Sequence, residues 1–176
     1  MVLMLVSFIS VILLEGFSYV LHLRSSFLEQ FENLQRGALQ EYWFRSTTAA
    51  IITDYQDGNS SSNGDNIFEG KERQFSGLTI AALDQNMGVP TSFTWKLEYI
   101  DGMTVLRYKN KETWDVLHWF GEGGTFSYLD KKNKWHNSWP PKVGKNIPQI
   151  PQVIKFQGKR RNHAITWIVK LSDHGT

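Results

Sequence analysis

Five histidines, His22, His118, His136, His163 and His174, are the side chains here best suited to bind a metal or carry a proton. None stands at ligand spacing from a second His or an acid, as the two His of an HExxH helix do. His118 alternates with Trp114, Val116 and Phe120, so it reads as one position on a strand face. No serine sits in a GxSxG elbow or an SxxK pair. The absence of Cys excludes a thiolate nucleophile, a zinc–thiolate centre and a disulfide framework. Gly121, Gly123 and Gly124 follow a strand pattern with no helix after them. They predict a turn, because a phosphate loop needs a helix N-terminus at the anion. Asp54, Asp57 and Asp65 flank an oxygen-rich loop but lack calcium-loop spacing and its closing Glu. Lys159-Arg160-Arg161 reads as a solvated hairpin tip, and a net charge of +2 gives no nucleic-acid footprint. This inventory predicts no catalytic residue, no cofactor and no metal, and so no enzyme.

The elements that carry these residues divide the 176-residue chain in two. Residues 1–23 read as the membrane-embedded half of a long helix. Val2 to Leu23 has one charge, Glu15, and no Pro. A 23-residue helix would be about 35 Å long, enough for a hydrocarbon core of about 30 Å. Glu15 inside it would need a partner on another chain, a lipid headgroup or water, or would sit neutral at a membrane surface. Residues 24–57 read as the amphipathic half. Phe27, Phe31, Leu34, Ala38 and Tyr42 form an apolar stripe, with Glu32 and Arg36 as an i,i+4 pair on the other face. Asp57-Gly58 predicts the helix stop, and residues 58–67 a loop.

From Phe68 the period changes to two, so residues 68–176 predict an antiparallel β domain. Phe93, Trp95, Leu97 and Tyr99 alternate with polar residues, and Asp101-Gly102 marks a tight hairpin. Further hairpins turn at Lys109-Asn110-Lys111, Asp130 to Asn133 and Gly158 to Asn162. The predicted class is α+β: one long N-terminal helix followed by an antiparallel sheet, connected as a meander.

This layout resembles the type IV pilin and pseudopilin plan. The start of the apolar run (Val2 to Ser7), the helix-closing Tyr42-Trp43-Phe44-Arg45-Ser46 and a C-terminal motif narrow it. That motif is Trp135-His136-Asn137-Ser138-Trp139-Pro140-Pro141, then Ile147-Pro148-Gln149-Ile150-Pro151. It is similar to the W-x-x-x-W-P and L-P-x-x-V ending of the minor pseudopilin J family of type II secretion, with Trp135, Trp139, Pro140 and Pro148 as its marks. The resemblance implies a pilin-like fold and a single-pass bacterial inner-membrane protein with its C-terminal domain in the periplasm. The charge pattern alone, with Arg24 after the apolar run, would place that domain in the cytoplasm. The resemblance further implies a structural role at the pseudopilus tip in protein export. The expected partners are other minor pseudopilins, packed through Phe27, Phe31, Leu34, Ala38 and Glu15, and no nucleic acid. The family pattern would place a Glu at Leu3, after a basic leader. Gly16-Phe17 is no substitute, since Leu21 stands four beyond Phe17. The expectation is a leader upstream of Met1 or an unprocessed member. The competing expectations are a minor pilin of a type IV pilus, and a membrane-anchored β-rich module binding a ligand through exposed aromatics such as Trp135 and Trp139.

Overall fold

The computed structural model describes residues 2–53, 68–83, 88–141, 149–161 and 163–171. Side chains are described for these except residues 2–13, 25, 26, 28–30 and 33 of the helix. The expected loop 58–67, the aspartates Asp54, Asp57 and Asp65, Pro148, His174 and the side chain of Leu3 lie outside the described set.

Helix α1 runs Val2–Ala49. It ends short of the expected residue 57, because the β-branched Ile51 and Ile52 leave it to form strand β1 (Ile51–Ile52). The helix end is closed by side chains. The Thr79 hydroxyl donates to the Thr47 carbonyl at 2.8 Å, and the Thr47 hydroxyl donates to Trp43 O at 2.8 Å. The Trp95 indole donates to the Thr47 hydroxyl at 3.2 Å. These bonds occupy polar groups that a buried helix end would otherwise leave unpaired.

The remaining strands are β2 (Glu69–Lys71), β3 (Gln74–Thr79), β4 (Thr91–Ile100), β5 (Met103–Lys109), β6 (Thr113–Phe120), β7 (Thr125–Leu129), β8 (Trp135–His136), β9 (Val153–Arg160) and β10 (His163–Lys170). They form two sheets. The six-stranded sheet has the order β1-β3-β4-β5-β6, with β2 also on β3, and the four-stranded sheet the order β10-β9-β7-β8. Asp101 and Gly102 take φ of 49° and 79°, the backbone of the two-residue hairpin expected there.

Two features correct the predicted fold class. The strands do not make one meandering sheet on a pilin-like helix; they form a β-rich domain of two sheets sharing one aromatic core. And among the described residues no helix is long and apolar enough to cross a membrane. From Leu14, where its described side chains begin, to Leu23 the helix carries Glu15, Gly16, Ser18 and His22 among its apolar residues. The expected single-pass inner-membrane anchor is therefore not supported.

The chain separates into two compact units, Met1–Leu39 and Gln40–Thr176. Within the second unit, Phe44 is fully buried and sits among both sheets. Its ring centroid lies 5.3 Å from Trp95 of the first sheet, and 5.3 Å and 5.7 Å from Trp167 and Phe156 of the second. The last turns of α1 also cover an edge strand of each sheet. Gln40 Nε2 donates to Val116 O of β6 at 2.6 Å, and Arg45 donates to Ile168 O of β10. Edge carbonyls bonded in this way are closed to pairing with another chain.

Strand β6 departs from the alternation read in its sequence. A register shift opposite Leu106 and Arg107 leaves Val116 as an extra residue, and Val116 and Leu117 are both buried. The bulge turns His118 and Phe120 outward, so they do not share a face with Val116.

Candidate assembly surface

The first unit is described by its helix alone. Side chains at Leu14, Phe17, Tyr19, Val20, Leu21 and Leu23 are exposed. Further along, Phe27 is 67 % exposed, Phe31 58 % and Leu34 73 %, and Ala38 and Glu15 are exposed as well. Steps of four, three and four residues bring Phe27, Phe31, Leu34 and Ala38 onto one stripe. The structure thus keeps these four predicted packing residues together, and leaves them facing solvent. Burying a Phe or Leu side chain is worth about 1.5–3 kcal/mol, so a continuous exposed stripe is a strong reservoir for association.

The C-terminal motif behaves differently from an exposed aromatic pair. Trp139 is 1 % exposed. Its backbone pairs with Gly70 of β2, N to O at 2.7 Å and O to N at 2.8 Å, which ties the loop after β8 to the first sheet. Its indole donates to Gln149 O at 3.1 Å, and the Trp139–Pro140 peptide is cis. Trp135 is 42 % exposed on β8, with the Lys155 ammonium 4.5 Å from its ring centroid. One tryptophan of the motif is therefore core and the other surface.

Gly70 is the partner that sequence reasoning missed. A Cβ there would lie 2.5 Å from the Tyr128 ring. The Tyr128 hydroxyl donates to Lys71 O at 2.7 Å, and burial pushes its pKa up. The signal in the sequence was a lone Gly in a short polar stretch, which does not name its partner.

The remaining candidates fall into place singly. His136 Nε2 lies 2.8 Å from Asp130 Oδ2, while Asp130 Oδ1 accepts the amides of Lys132 at 2.8 Å and Lys134 at 2.9 Å. The hydrogen bond from His136, then the Lys134 amide, holds the Asp130 carboxyl below the usual Asp range. Gly121, Gly123 and Gly124 make a turn with φ of 81°, 155° and 88°. A Cβ on Gly124 would lie 2.9 Å from the Trp119 ring, so the close approach requires glycine. Among the described residues no group of His and acids could hold a metal ion.

No family model matches the chain. Nor does any curated protein match its sequence. The functional reading rests on the surface itself.

Proposed function

We propose that this chain is a structural assembly subunit, a minor pseudopilin of a type II secretion system that packs with other pseudopilins through helix α1. The observation that carries the reading is the exposed stripe of Phe27, Phe31, Leu34 and Ala38 on a 48-residue helix. An apolar stripe exposed along a long helix offers a surface for association with another chain. The role is structural rather than catalytic. A ligand-binding module that uses both Trp135 and Trp139 is disfavoured, because Trp139 is spent in the core.

Co-purification of the full chain with minor pseudopilins tests this. Replacing Phe31 and Leu34 together by Asp removes two of the largest exposed apolar groups and should weaken capture at least tenfold. The β domain should keep its near-UV spectrum, since neither side chain belongs to its core. Undiminished capture by the double variant would end the proposal.

A further inference from the structure

The overall charge of +2 conceals a strong division. Residues 125–171 carry ten of the 19 Lys and Arg side chains and one of the 17 acids, Asp130. Ten less one is +9 for this segment, which leaves −7 on the rest of the chain. Its described residues hold the second sheet with its turns, while Lys142 and Lys145 lie outside the described set. Its single acid is spent inside the β7–β8 turn, on His136 and the amides of Lys132 and Lys134.

Strand register shows where the cations stand. On β9 the buried side chains are Ile154 and Phe156, so Lys155 and Lys159 lie on the outer face. Lys155 is registered between Ser127 and Ile168, and Lys170 lies across from Val153. Val153 is registered with Leu129, and Leu129 with Trp135. The same outer face therefore presents lysines beside a half-exposed Trp135 and a 48 % exposed Ile168. Exposed Lys131, Lys132 and Lys134 extend it at the β7–β8 turn, and Arg161 at the β9–β10 tip. At the first of these ends a depression of about 600 Å³ opens between Lys131 and Lys170, walled by Ile150, Pro151, Val153 and Leu171.

We propose that the outer face of this sheet docks peripherally on an anionic phospholipid surface, with a headgroup phosphate between Lys131 and Lys170. Charge sets the class of partner. Each Lys or Arg near an anionic leaflet contributes on the order of a fivefold gain in binding. The apolar residues decide between polyanions. Trp135 and Ile168 beside Lys155 suit the boundary of headgroup and acyl chain, where an amphipathic ring and an aliphatic group are both accommodated. A nucleic-acid strand would use Trp135 but has no use for Ile168 or the aliphatic walls of the depression. Such docking needs no spanning helix and does not depend on the helix stripe.

Co-sedimentation of the full chain with vesicles tests it. One set is phosphatidylcholine alone, the other contains about a third phosphatidylglycerol. Binding is expected only to the anionic set, falling steeply with salt. Lys155→Glu with Lys170→Glu should weaken it at least 25-fold, Lys155→Gln with Lys170→Gln somewhat less, and Lys111→Glu on the other sheet should have no effect. Trp fluorescence should shift to the blue on binding, and less in Trp135→Leu. Equal binding to both vesicle sets, or loss on changing Phe31 and Leu34 but not the lysines, would overturn the proposal. So would tight binding of labelled oligothymidylate with none to vesicles, which would make the face a nucleic-acid surface instead.

Discussion

Single side chains fix the joint between the two sheets. Gly70 brings the β2 backbone against the Tyr128 ring and within hydrogen-bond reach of Trp139. No other residue fits, because a methyl group would lie 2.5 Å from that ring. Gly70→Ala must therefore displace Tyr128 and lengthen its bond to Lys71 O. A cost of about 1–3 kcal/mol is expected, seen as a lower midpoint in urea with an unchanged slope. A midpoint equal to the parent's would show that the ring moves aside freely. The same residue explains why Trp139 is core. Its loop is held at the one place on β2 that lacks a side chain.

At the scale of elements, the β7–β8 turn is organised by one carboxylate. Asp130 N donates to Lys134 O at 3.0 Å, Asn133 N donates to Asp130 O at 3.1 Å, and Asn133 takes a φ of 59°. The Asp130 carboxyl holds two further amides and His136. Its pKa in the fold lies below its ordinary value of 3.8. The sign follows directly: the ionised carboxylate stabilises the turn fully above about pH 4, and that contribution is lost as pH falls through the lowered folded value. The amide resonances of Lys132 and Lys134 should move in this acid range, and Asp130→Asn should abolish the movement. An identical titration in the variant would assign it to another group. Helix α1 shows a second kind of organisation. Its final turns use Gln40 and Arg45 to cover strand edges, while its earlier turns present the apolar stripe.

For the whole molecule, the aromatic core turns on Phe44. Among the described residues it is the one helix side chain whose ring packs on Phe75 and Trp95 of the first sheet and on Phe126, Phe156 and Trp167 of the second. Phe44→Ala would leave a cavity where both sheets meet, with an expected loss of about 3–5 kcal/mol by chemical denaturation. A loss below 1 kcal/mol would mean that the sheets can close without it. The charge division is likewise a property of the whole, since +9 and −7 leave only +2 in the sum.

Much of this was written in the chain. Alternation from Phe93 to Tyr99 specified a half-buried strand, and Asp101-Gly102 its hairpin, because both signals are local. The helical spacing of Phe27, Phe31, Leu34 and Ala38 fixed their common stripe for the same reason. The number of cations between residues 125 and 171 could also be counted without coordinates. Tertiary structure alone decided the rest. Periodicity says which side of a strand is buried, but not against which sheet, so two sheets could not be told from one. The bulge at Val116 reversed the expected faces of β6, since an inserted residue shifts every side chain after it. The approach of Gly70 to Trp139 joins positions 69 residues apart, a pairing no local pattern carries. Register then gathered Lys155, Lys170, Trp135 and Ile168 onto one outer face, and so turned a composition into a surface.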